Sequence, residues 1–208
     1  MFILVLSCNL HSQITLQIYV VEKINSKGLF VLDFTLKNTT SENIVIPMDT
    51  TKFRNYWASE CDFSEWDLQK YPYLAMSVKF RDIKTGRDDF ANGGNISLDL
   101  SNPPELKADK RRPNQYVYNH LIFLKPQEII RFRKKMDITY YEYEEFFPSF
   151  EYAFLQDNTD YEFSFVYCSE CAGTYNLLTN EEKEKIKNYK FFNGVLESNK
   201  ILFHYRSH

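Results

Sequence analysis

Ile14-Thr15-Leu16-Gln17-Ile18-Tyr19-Val20 and, after a break, Leu29-Phe30-Val31-Leu32-Asp33-Phe34-Thr35-Leu36-Lys37-Asn38 place apolar side chains at every second position, the second stretch from Val31 onward. Alternate side chains of an extended chain leave on opposite faces, so the pattern predicts two half-buried β-strands. Between them Asn25-Ser26-Lys27-Gly28 reads as a turn, and Thr39-Thr40-Ser41-Glu42-Asn43 as a second one. Ile44-Val45-Ile46-Pro47 is a short strand that stops at its proline.

The same reading extends along the chain. Further strands are expected at 74–80, 96–100, 117–124, 128–133, 161–167 and 200–205. Their uneven spacing predicts a long insertion at about 49–75. One segment reads clearly as helix, at about 180–189. There Thr179-Asn180-Glu181-Glu182 forms a capping box, with acids at the positive end and Lys185, Lys187 and Lys190 toward the negative end. Asn193-Gly194 is a turn. The expected fold is all-β: an antiparallel sandwich occupying 13–208, with a long insertion and one short helix near the C-terminus.

The 208 residues include 15 Tyr, 18 Phe and 2 Trp, with 44% apolar and 25% charged residues. That is the composition of a folded globule, not of a disordered, collagen-like or multi-span membrane chain. Six Gly argue against a glycine-rich phosphate cradle, and a net charge of -3 gives no reason to expect nucleic acid.

Residues 1–12, MFILVLSCNLHS, look like the end of a secretory hydrophobic region, too short to span a bilayer and without a basic start. In one reading Val5-Leu6-Ser7-Cys8 is a lipobox and Cys8 becomes a lipidated N-terminus. In the other, cleavage follows Ser12. Both imply export, to the periplasm or as an outer-membrane lipoprotein, and both expect more leader upstream. A lipid anchor is then the single expected link to a membrane.

Three segments carry a resemblance. Leu32 to Thr40 followed by Asn43 to Pro47 resembles the early hairpin of BsuPI-type proteinase-inhibitor and related bacterial immunoglobulin-like domains. Leu124-Lys125-Pro126-Gln127-Glu128 resembles their turn before a mid-domain strand, with Gln127 where glycine is usual. Gly194 to Phe203 is similar to the final strand of many exported immunoglobulin-like domains of the Bacteroidetes type. The resemblance implies an immunoglobulin-like sandwich; no inhibitory loop can be carried over from it, because no motif residues here carry one. Tyr161, followed by Phe163, Phe165 and Tyr167, reads as a tyrosine corner, in which a hydroxyl near a strand start bonds backbone upstream.

Cys168-Ser169-Glu170-Cys171 is a CxxC motif. Zinc would need a second local ligand pair, and the chain offers Cys61 and the scattered His11, His120, His204 and His208. A thiol oxidoreductase needs its first cysteine at a helix N-terminus, and no apolar-periodic helix is expected after Cys168. The favoured reading is a structural disulfide between Cys61 and Cys168 or Cys171, with local closure of 168–171 as the alternative.

From Asp137 to Glu182 there are eleven acids and no Lys or Arg, after basic runs at 107–112 and 131–135. Asp157, Asn158 and Asp160 lack calcium-loop spacing, so the acids read as a solvated face. Within that span Tyr140, Tyr141, Tyr143, Phe146 and Phe147 crowd together. If extended, they cannot all face a core. With Trp57 and Trp66 of the insertion they either pack under a loop or form a binding surface for a glycan or protein. Gly-x-Ser-x-Gly, His-Glu-x-x-His and a phosphate loop are absent from the sequence.

The expectation is a non-enzyme without cofactor or metal: an exported binding or structural module. Two other readings are an inhibitor or immunity-type protein acting through loops 49–75 or 102–116, and an enzyme acting on glycans or thiols.

Overall fold

The first hairpin shows why the alternation becomes a sheet. At its turn the Asn25 carboxamide oxygen accepts the backbone N–H groups of Lys27, Gly28 and Leu29, each at 3.0 Å. Gly28 takes φ +118°, a conformation that side chains rarely adopt. A Cβ there would also lie 2.6 Å from Thr139 Cγ2.

The computed structural model describes residues 13–55, 74–89, 113–141, 150–151, 155–169 and 171–207. In chain order these form β1 (Ile14–Lys23), β2 (Leu29–Asn38), β3 (Ile44–Pro47), β4 (Asp49–Asn55), β5 (Ala75–Asp82) and β6 (Asp88–Asp89). Helix α1 (Pro113–Asn119) precedes β7 (Leu121–Leu124), β8 (Ile129–Asp137), β9 (Tyr140–Tyr141), β10 (Phe150–Glu151) and β11 (Thr159–Ser169). Helices α2 (Cys171–Asn176) and α3 (Asn180–Ile186) lead to β12 (Lys190–Phe191), β13 (Gly194–Glu197) and β14 (Ile201–Tyr205).

One sheet has the order β1-β2-β8, antiparallel throughout. A second is built on β11, with β5 along one edge and β4 beyond it. The other edge of β11 is shared. β14 pairs with Thr159 to Phe163, and β13 with Val166 to Ser169. A small third sheet has the order β12-β3-β7.

The first two sheets face each other across an aromatic core. Phe30 and Phe34 of β2 meet Phe163 and Phe165 of β11 at 5.6 and 4.9 Å between ring centroids. Phe34 also stacks on Phe132 of β8 at 4.9 Å. Each ring buried this way contributes about 2–3 kcal/mol. Ile44 and Ile46 of β3 join this core, while Val45 points the other way. With Leu74, Val117, Leu178 and Ile186 it forms a second cluster that holds α1 and α3.

Several expectations change. The structure is mostly β, as expected, but it has three short helices among the described residues instead of one. The segment 117–124 read as one strand splits: Pro113 opens α1, Asn119 closes it, and β7 starts at Leu121. Pro suits the first helical turn, where its missing N–H costs nothing. Burial of Val117 in the second cluster then overrides its strand preference. Helix α2 follows Cys168 almost at once, where no helix was expected. The sheets are also not purely antiparallel, because β4 pairs with β5 and β12 with β3 in parallel. Strand β4 takes 49–55 out of the interval read as an insertion. Helix α3 has the expected capping box but ends at Ile186.

Candidate functional site

Two polar constellations stand out. The first lies where β3 passes into β4. The Asp49 side chain is fully buried. Its Oδ1 accepts from the Thr51 N–H at 2.8 Å and from the Thr51 hydroxyl. Its Oδ2 accepts from the Tyr116 hydroxyl at 2.8 Å, and His120 Nε2 stands 3.6 Å away. Burial is the largest single influence on this carboxyl and raises its pKa. The bonds from Thr51 and Tyr116 and the charge of His120 together outweigh it and hold the group below the usual carboxylate range.

His120 closes the network, its Nδ1 lying 2.7 Å from the Tyr116 carbonyl oxygen. Its Nε2, at 3.6 Å from Asp49, is beyond hydrogen-bond distance. The Tyr116 bond to Asp49 clamps α1 onto the β3–β4 junction.

The second constellation is the outer face of the β1-β2-β8 sheet. A groove of about 560 Å³ is lined by Thr15, Gln17, Tyr19, Asp33, Thr35, Lys37, Thr39, Ile129 and Arg131. Strand register sets the rows: Thr15 beside Lys37 and then Ile129, Gln17 beside Thr35 and then Arg131, Tyr19 beside Asp33 and then Arg133. Arg133 grips Asp33 with two bonds, at 2.6 and 2.8 Å. Those bonds, aided by the charges of Arg133 and Arg131, keep the Asp33 carboxyl below its usual range. Lys37 and Arg131 make no ion pair among the described residues. The Tyr19 hydroxyl donates to Gln17 Oε1 at 2.7 Å.

The outer face of the opposite sheet is different. There Lys79 lies 3.5 Å from Asp88 and 4.0 Å from Glu197, and Glu162 takes both Arg81 at 3.9 Å and Lys200 at 2.5 Å. Its cations are matched by acids.

Of the residues singled out from sequence, Tyr161 is buried, and its hydroxyl accepts the Gln156 N–H at 2.9 Å across the turn before β11. Cys168 is buried near the end of β11 and its sulfur is engaged. Cys171 opens α2. Tyr140 and Tyr141 form β9, where Tyr141 pairs with Phe150 of β10. Cys8, Cys61, Trp57, Trp66, Tyr143, Phe146 and Phe147 lie outside the described residues, as do most of loops 49–75 and 102–116.

Sequence reasoning missed Asp49, Tyr116 and Lys37. A local signal existed for Asp49, because Asp-x-Thr lets the carboxylate accept from the Thr two residues on. Tyr116, 67 residues away, had no such signal.

Among the described residues, no cluster of His, Cys, Asp and Glu could hold a metal ion, and no helix is long and apolar enough to cross a membrane. No protein-family model, curated protein or solved structure matches this chain.

Proposed function

We propose that this chain is a non-catalytic binding module of the cell envelope, an exported immunoglobulin-like β-sandwich that engages its ligand on the outer face of the β1-β2-β8 sheet. The observation that carries the reading is the contrast between the two outer faces. One spends its charges on itself, in the Lys79, Arg81 and Lys200 ion pairs. The other presents Lys37 and Arg131 around a groove. The Asp33 that lines the same groove is bonded to Arg133, which leaves Lys37 and Arg131 without an ion pair among the described residues and available for a ligand.

Two further observations support the class. The Tyr161 bond to Gln156 is the kind of side-chain bridge that fixes a turn in immunoglobulin-like sandwiches. The engaged sulfur of Cys168 suits a disulfide with Cys61 or Cys171, and hence an oxidising compartment. Export through residues 1–12, with Cys8 as a lipid anchor or as part of a cleaved leader, completes the reading.

The test is to probe immobilised glycans, peptides and anionic vesicles with the protein and with its Lys37→Glu/Arg131→Glu variant. Capture lost in that variant and kept in Lys79→Gln supports the reading. Capture that ignores the variant, no capture, or turnover of a probe overturns it.

A further inference from the structure

We infer that the ligand of this groove is an acidic polysaccharide. The inference rests on the binding face proposed above and names what that face selects.

Three features of the face choose the class. First, its charge is positive but sparse: the Asp33 that also lines it is bonded to Arg133, and Lys37 and Arg131 remain. Lys37 and Arg131 are diagonal neighbours on adjacent strands, about 7 Å apart. Lys135, the next outward cation along β8 without an ion pair among the described residues, lies about 13 Å beyond Arg131. Duplex nucleic acid presents a charge every ~1.7 Å of its axis, much denser than this row. A polymer with at most one carboxylate per sugar matches it better.

Second, the space between the cations is filled by short polar side chains. Thr15, Gln17 and Thr35 stand between and beside them, and Thr39 stands at the end. The Tyr19 hydroxyl takes one acceptor site of Gln17 Oε1 and leaves both N–H donors of that amide. Lys37, Arg131 and Gln17 thus present donors, which suit carboxylate and hydroxyl oxygens of a sugar chain.

Third, Tyr19 is half exposed, at 52%, on the same face. One ring beside polar rows can cover a sugar face. Stacking a run of bases calls for successive aromatic platforms, and no second aromatic lines this groove among the described residues.

Isothermal titration calorimetry at low salt tests this, with oligogalacturonate as the acidic probe, dextran oligomers as the neutral one and oligothymidylate as the nucleic-acid one. The expected result is binding of oligogalacturonate, weakened about tenfold or more in Lys37→Gln/Arg131→Gln and unchanged in Lys79→Gln. Hydrogen exchange on the unmutated protein gives a second readout that needs no variant. Protection by oligogalacturonate should fall on 15–19, 33–37 and 129–133. Equal binding of dextran, tighter binding of oligothymidylate, or protection elsewhere overturns the ligand class. Variant-sensitive binding of one of those other probes would still leave the face as a binding site. Absence of any probe at the face removes both.

Discussion

The carboxamide of Asn199 stands beside Ile18 as a strand residue would. Its Oδ1 accepts the Ile18 N–H at 2.7 Å, and its Nδ2 donates to the Ile18 carbonyl at 3.0 Å. The residue before it does the same for the other sheet: Ser198 Oγ accepts the Phe165 N–H, and the Ser198 N–H donates to the Phe165 carbonyl, both at 2.9 Å. The step between β13 and β14 thereby joins the two sheets at one edge. It also occupies backbone groups of β1 that an edge strand would offer to another chain.

Asn199→Ala should therefore cost about 1–3 kcal/mol, since it leaves a donor and an acceptor of a part-buried strand unpaired. Urea denaturation measures it. A change within about 0.5 kcal/mol would show that water replaces the carboxamide at no cost.

Gln127 sits at φ +61° in the turn Lys125-Pro126-Gln127-Glu128, closed by the Glu128 N–H on the Lys125 carbonyl at 3.1 Å. Its Nε2 donates to the carbonyls of Thr39 and Thr40 at 3.1 and 3.3 Å, which offsets part of the left-handed strain. Gln127→Ala loses those bonds and keeps the strain, whereas Gln127→Gly loses both. The glycine variant should be the more stable of the two by about 1 kcal/mol, the reverse of their usual order. Paired melting curves decide it.

Gly28→Ala should destabilise by about 2 kcal/mol or more, because φ +118° is strained for alanine and the added Cβ meets Thr139. The variant Thr139→Ser removes the Cγ2 that the new methyl would strike. If the collision matters, adding it to Gly28→Ala should recover part of the loss.

Asp49 links stability to pH. Its folded pKa lies below the ordinary 3.8, so the native state binds fewer protons than the unfolded chain near that pH. The stabilisation is complete above the unfolded pKa and is lost as pH falls through the folded one. Asp49→Asn should thus be less stable at pH 7, and the gap to the unmutated protein should narrow below about pH 4. A gap independent of pH would mean that the charge is not what the network uses.

Non-reducing peptide mapping should recover Cys168 joined to Cys61 or to Cys171, with no alkylation of Cys168 in the native protein. Recovery of Cys168 as an alkylated thiol would remove the disulfide, and with it one support for export.

Local chemistry was legible. Period-two alternation located β1 and β2, because one buried face imposes that period whatever the partner strand is, and the runs at 128–133 and 161–167 fell within β8 and β11 but for one residue. The Thr179 capping box lies within four residues and needed no tertiary help. A three-residue pattern also recurs: in Asn38-Thr39-Thr40, Asp49-Thr50-Thr51 and Asp137-Ile138-Thr139 the first side chain accepts from both the amide and the hydroxyl of the last Thr. Each of these Asx-Thr pairs lies where a strand ends or begins, and each can be read off the chain.

What the amino-acid order determined by itself is the β character of the chain, its main strands and its turn chemistry, since these depend on neighbours a few positions away. Tertiary structure alone decided that β4 runs parallel to β5, that Val117 turns helical, that Asp49 meets Tyr116 and that Lys37 and Arg131 share a groove with an Asp33 already bonded to Arg133. These are relations between segments distant in sequence. They are set by which apolar faces pack together, and periodicity along one strand carries no record of the strand it will lie against.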